Sequence, residues 1–138
     1  MDEQLISFKT AELAKDKGFS VSVINYYDKN KHCTYSEDYQ TERLAESNWN
    51  NGNGSYPTLS KEVLCSAPTQ SLLQKWLREV HNIYIEIEHW HNEKEGFIKC
   101  GYKVYTKHEN TGPYIYNNKI ITYEEALEKG LQEALKLI

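Results

Sequence analysis

A chain of 138 residues, 39% of them aliphatic or aromatic and 26% charged, has the balance of a globular protein and the length of one domain, with one hydrophobic core and little to spare. The formal net charge of −4 divides evenly, with 7 Lys+Arg against 10 Asp+Glu up to residue 68 and 9 against 10 beyond it, so neither half offers the clustered cations that broad duplex binding needs. Three distant cysteines, Cys33, Cys65 and Cys100, form no CxxC pair, and with no leader and no long apolar run the reading is a cytoplasmic protein, not a disulfide scaffold or a membrane span.

The first element is "ISFKTAELAKDKGF". Ser7 is placed to cap a helix whose apolar stripe is Ala11, Leu13 and Ala14, and Gly18 followed by Phe19 has the composition of a left-handed C-terminal cap. "FSVSVINYY" then alternates Phe19, Val21 and Val23 with serines, which predicts a half-buried strand. From about residue 28 to 60 the periodicity dissolves into a long loop or insertion rich in Asn, Ser, Gly and charge. Tyr35, Tyr39, Trp49 and Tyr56 are spaced through it, and a short helix is expected near Thr41 to Glu46. Loops of this length are uncommon unless they carry structure or function, so Trp49 is a candidate binding residue.

"SKEVLCS" reads as a short strand leading into "APTQSLLQKWLREVHN". There Thr69 sits at an N-cap position and Leu72, Leu73, Trp76, Leu77 and Val80 make one apolar face, with Asn82 as the stop. "IYIEIEHWH" follows as a strand with Ile83, Ile85 and Ile87 on one face and Tyr84, Glu86, Glu88 and Trp90 on the other. After "NEKEG", the run "FIKCGYKVYT" sets Ile98, Cys100, Tyr102 and Val104 against Phe97, Lys99, Lys103 and Tyr105. The two strands predict a hairpin with matched faces. "GPYIYNNKIIT" predicts a second turn at Asn117 and Asn118. In "TYEEALEKGLQEALKLI", Thr122 and Glu125 form a capping box, and Gly130 interrupts an apolar stripe, which implies a close helix approach.

The resulting order is α-β-loop-α-β-β-(β)-α, an α+β single domain over 1–138. It has a small antiparallel sheet of three to four strands with helices packed on one face. From residue 69 onward this order is similar to the double-stranded-RNA-binding fold. The chain departs from that family where its last helix begins Tyr123-Glu124-Glu125 in place of a lysine-rich turn, and where "TGP" falls in the wrong inter-strand loop.

Chemistry-bearing residues are few. His89 and His91 point the same way on a strand, and one hairpin register sets Cys100 beside His89, a three-ligand set that lacks a fourth member. A strand leaving the core explains the same residues. Keeping both apolar faces together pairs Ile87 with Cys100 or Tyr102, which sets Glu88 opposite Lys99 or Glu86 opposite Lys103, so cross-strand ion pairing accounts for the carboxylates without acid–base catalysis. Cys33 beside His32 is a weak nucleophile candidate, and no triad, phosphate loop or HExxH motif occurs. The reading is a protein that is not an enzyme and needs no cofactor. Tyr84, Trp90, Phe97 and Tyr105 with Lys99 and Lys103 form an aromatic and cationic sheet face, expected to contact a protein partner or a second copy. Stacking of single-stranded nucleic acid and binding of a metal are the alternatives.

"SAPTQSLLQKWLREVHNIYIEI" and "TYEEALEKGLQEALKLI", with "ISFKTAELAKDKGF" at the start, resemble a group of uncharacterised small proteins encoded by Bacteroidetes genomes and their phages or prophages. The resemblance covers residues 66 to 87 and 122 to 138 and leaves 28 to 60 unmatched. It implies a bacterial or phage cytosolic setting and an accessory role, and carries no activity or site residues to transfer.

Overall fold

The computed structural model describes residues 3–35, 37–38, 43–44, 46–51, 63–94, 96–106 and 122–138, with the backbone alone at 37, 38, 43, 44, 92 and 97–99. The protein is α+β, with three helices and small antiparallel sheets of three and two strands among the described residues. Its contacts divide into two compact units. One comprises Leu5–Thr69, the other Gln70–Ile138 together with Met1–Gln4.

In the first unit, helix α1 (Phe8–Asp16) starts where Ser7 Oγ accepts the Thr10 amide at 3.3 Å. It ends as the sequence predicts. Gly18 adopts φ +84°, its amide donates to the Lys15 carbonyl and the Phe19 amide to that of Ala14, the paired bonds of a Schellman cap. The strand expected over Phe19 to Tyr27 forms only at its C-terminal end, as β1 (Asn25–Asp28); upstream of it Val23 makes an isolated antiparallel bridge with Ser47. The physical reason is competition for the backbone. The Phe19 amide is spent on the helix cap and its carbonyl accepts Asn50 Nδ2 at 2.7 Å, whereas Val23 exchanges both backbone bonds with Ser47 and its carbonyl accepts Trp49 Nε1 as well, at 2.7 Å.

Strand β1 is central, between β2 (Cys33–Tyr35) and β5 (Val63–Ser66), both antiparallel to it. The turn from β1 to β2 is held by Asp28 Oδ1, which accepts the amides of Asn30 and His32. Two further segments, β3 (Glu37–Asp38) and β4 (Arg43–Leu44), pair with each other. Arg43 and Leu44 are therefore extended where a short helix was expected.

Adjacent tyrosines hold the two faces of this sheet. Tyr27 lies edge-on to Phe8 of α1 and donates its hydroxyl to the Ile6 carbonyl at 2.7 Å. Tyr26, facing the other way, packs at 4.9 Å on Trp49, which opens the 3-10 turn Trp49–Asn51. The neighbouring Asn50 bridges two segments, since its Oδ1 also accepts the Ser66 amide at 2.9 Å.

The second unit begins with α2 (Gln70–His81), whose buried side is Gln70, Leu73, Trp76 and Leu77. Val80, read as part of this stripe, is 58% exposed, although its spacing from Leu73, Trp76 and Leu77 keeps it on the same side of the helix: the stripe runs on past the packing that buries its earlier turns. The Gln70 amide donates to the Gln4 carbonyl, and the Ser71 hydroxyl to the Glu3 carboxylate. Asn82 ends the helix in the left-handed region, φ 56°, as its position predicts.

Strands β6 (Ile83–Asn92) and β7 (Phe97–Thr106) then pair over ten residues with no register shift, Ile87 facing Tyr102. Ile83, Ile85, Cys100, Tyr102 and Val104 are buried on one side. Helix α3 (Tyr123–Leu135) opens with the predicted capping box of Thr122 and Glu125. The turn predicted at Asn117 and Asn118 lies outside the described residues.

Helices α2 and α3 are joined through Gln70, whose buried amide donates to the Glu124 carbonyl at 3.0 Å and to Glu128 Oε2 at 2.9 Å. The close approach inferred at Gly130 is present: a Cβ there would stand 2.8 Å from Ile85 Cγ2 and 3.4 Å from the Tyr102 ring.

Two stability outcomes follow from these contacts. Gly130→Ala gains helix propensity but overpacks the helix–ribbon contact, so urea unfolding should show a net loss of about 1 kcal/mol. In an Ile85→Ala background the colliding methyl is gone and the sign should reverse. Asn50→Ala leaves the Phe19 carbonyl and the Ser66 amide without their side-chain partner and should lower stability by about 1–3 kcal/mol; an unchanged midpoint would show that Asn50 does not hold the turn to β5.

Candidate functional site

The outward face of the β6–β7 ribbon is built by alternation. With Ile83, Ile85 and Ile87 turned toward the helices, Tyr84, Glu86, Glu88 and Trp90 of β6 and Gly101, Lys103 and Tyr105 of β7 must face away. The register sets Tyr84 opposite Tyr105, Glu86 opposite Lys103, Glu88 opposite Gly101 and Trp90 opposite Lys99. Tyr84 is 48% and Trp90 37% exposed, at two ends of the face with a polar centre between them.

That centre is internally paired, but along diagonals. Lys103 makes its ion pair with Glu88, not with Glu86 directly opposite, and Glu86 Oε2 instead accepts the Tyr105 hydroxyl at 2.8 Å. Gly101 explains the shift, because it presents no side chain opposite Glu88 and leaves room for Lys103 to lean across. Diagonal neighbours on a twisted ribbon are within reach of such long side chains. The expected ion pairing is thus present with a different carboxylate.

The remaining candidates fall elsewhere. Phe97 and Lys99 occupy outer-face register positions opposite Asn92 and Trp90, and their side chains lie outside the described atoms. Trp49 is 1% exposed; it is a core residue of the first unit, not a surface ligand, because Tyr26 and the Val23 carbonyl engage its ring and its nitrogen.

His89 and Cys100 are register partners on the helix-facing side, with His91 two residues on. Cys100 is buried while both histidines are exposed. The His89 ring stacks on Tyr123 at 6.0 Å and 13°, and among the described residues no three His, Cys, Asp or Glu side chains come together as a ligand set. Tyr123 was not singled out in the sequence. Its place over His89 depends on where α3 crosses the ribbon, which no local pattern encodes.

The thiols share one property. Burial pushes Cys33 and Cys100 upward from the ordinary thiol range and Cys65 to about 11, although Lys15 opposes the shift at Cys65. None is held as a thiolate at neutral pH, which is the condition for nucleophilic cysteine. Burial likewise pushes the Tyr102 phenol up to about 12. A depression of about 400 Å³ beside Cys65 is lined by Lys9, Lys15, Glu12 and Asp16 with Leu13 and Leu64; its two cations and two anions offer no net charge to select a ligand.

Fold and site together describe an α+β protein with a two-stranded ribbon, covered by helices on one side and carrying exposed aromatics on the other. No protein-family model, curated protein or solved structure matches this chain. Among the described residues no helix is long and apolar enough to cross a membrane.

The thiol shift sets an alkaline prediction. Unfolded Cys65 loses its proton near its ordinary value of 9.0 and the folded thiol only near 11, so between these the unfolded state binds fewer protons and stability falls as pH rises. Below pH 9 this contribution is fully present. Chemical denaturation from pH 8 to 11 should show the decline, and Cys65→Ala should flatten it; an equal slope in both proteins would remove Cys65 as a cause.

Proposed function

We propose that this chain is a non-catalytic accessory protein of the cytoplasm that acts by binding another protein through the outer face of the β6–β7 ribbon. One observation carries the reading: Tyr84 and Trp90 stand exposed on that face, while the polar groups between them are engaged within the chain by the Lys103–Glu88 ion pair and the Tyr105 hydroxyl's hydrogen bond to Glu86. Aromatic side chains flanking a polar centre whose groups are already partnered suit a protein surface, where large rings supply contact area and buried unpaired polar groups are costly. Three raised thiols support a role without covalent catalysis. A phage- or prophage-linked setting is proposed from the resemblance of residues 66 to 87 and 122 to 138 to the small proteins of Bacteroidetes and their phages.

Single-stranded nucleic acid requires cations free to meet phosphate, and the engagement of Lys103 by Glu88 weighs against it. Size-exclusion chromatography with light scattering, with and without a mixed-sequence single-stranded oligonucleotide, separates the two. The expected result is an unchanged mass with the oligonucleotide, and capture of a discrete host or phage protein that is lost in Tyr84→Ala with Trp90→Ala. A mass shift with the oligonucleotide that weakens with salt and vanishes in Trp90→Ala with Lys99→Glu would replace the proposal with the nucleic-acid reading.

A further inference from the structure

On the helix-facing side of β6, burial gives way along the strand. Ile83 and Ile85 are buried and Ile87 is half-buried, whereas His89 and His91, which follow on the same side by alternation, are exposed. The His89 ring lies at 13° to the ring of Tyr123, with 6.0 Å between their centroids. Such a stack engages the face of an imidazole. The two nitrogens sit on the ring edge, in its plane, where a lone pair is directed outward.

The surroundings of this edge are anionic. Tyr123 is the first residue of α3, and Glu124 and Glu125, the next two, are exposed in its first turn. Cys100 lies directly across the ladder from His89. Its thiol is raised first by burial and then by the charge of Glu124, so that carboxylate stands close to the strand position His89 occupies.

Neutral imidazole is a preferred donor for zinc, nickel and copper ions. On an extended strand, residues two apart project to one side with Cα atoms about 6.5–7 Å apart. Two imidazoles leaning together from such positions can each bring one nitrogen to the roughly 2.0–2.1 Å that a zinc–nitrogen bond requires. We propose that His89 and His91 chelate one divalent ion of this imidazole-preferring class, with water in the remaining positions and Glu124 adding a favourable field. Cys100 is left out of the ligand set, because a buried thiol held protonated is a poor donor at neutral pH.

The other described histidines serve as contrasts. His81 packs edge-on to Trp76, and His32 lies in the turn from β1 to β2, where its amide is held by Asp28. Neither has a histidine two residues along. The inference concerns the helix-facing side of the ribbon and does not depend on what the outer face binds.

The test is calorimetric titration of the full chain, stripped with a chelator, against zinc chloride. Two protein ligands in place of the four of a structural zinc site should leave about half of its binding free energy, which corresponds to a single site with a Kd of about 10–100 µM. His89→Asn and His91→Asn remove exposed side chains and keep the ladder's backbone bonds. Each should weaken binding about tenfold or more, while His32→Asn should leave it unchanged. If either ribbon variant binds zinc as the parent does, there is no chelate and the proposal falls. A loss in His32→Asn equal to theirs places the ion elsewhere and overturns it as well, as does the absence of saturable binding up to about 1 mM zinc.

Discussion

At Gly130 the backbone of α3 lies so near the ribbon that a single added carbon would meet Ile85 Cγ2 at 2.8 Å. That approach settles which side of the ribbon is the inside. Ala126, Leu127, Leu131 and Ala134 are buried on the same helix, and Ile83, Ile85, Tyr102 and Val104 are buried on the strands. Because strand side chains alternate strictly, fixing one face fixes the other. Tyr84, Glu86, Glu88 and Trp90 are turned outward by the same constraint that buries the isoleucines.

The first unit achieves its order differently, with side chains doing what a longer ladder would do elsewhere. Trp49, Asn50 and Tyr27 each hydrogen-bond a backbone carbonyl more than twenty residues away in sequence, at 2.7 Å in every case. Such bonds satisfy backbone carbonyls outside the named strands, that of Val23 in addition to its bridge with Ser47. They also explain how a segment with no hydrophobic periodicity is anchored at residues 49 and 50, one supplying an aromatic ring and the other an amide.

How much of this was legible depended on whether the determinant is local. Ser7, Gly18, Asn82 and the Thr122–Glu125 capping box could be read because caps act within a few residues. The β6–β7 faces could be read because alternation is a local pattern, and matching apolar sides narrowed the register to two, Ile87 facing Cys100 or Tyr102, of which the second is found. Trp49 was misassigned because an aromatic in a polar loop has the same sequence signature whether it faces solvent or closes a core. The strand over Phe19 to Tyr27 forms only from Asn25, with a single bridge at Val23: its alternation is genuine, with Phe19 and Val23 buried, but the backbone of Phe19 is taken by the helix cap and by Asn50. The pairing of Lys103 with Glu88 was missed because the missing side chain at Gly101, more than any charge, decides the diagonal.

The ribbon's outward polar groups are set by the same alternation that buries its isoleucines. Lys103 pairs with Glu88 and the Tyr105 hydroxyl donates to Glu86, so these side chains are held within the chain while two carboxylates stand against one cation. The exposed area at the two ends of the face is aromatic, Tyr84 and Trp90, and because the polar centre is already engaged, these rings are the part of the face whose contacts are least spent within the chain.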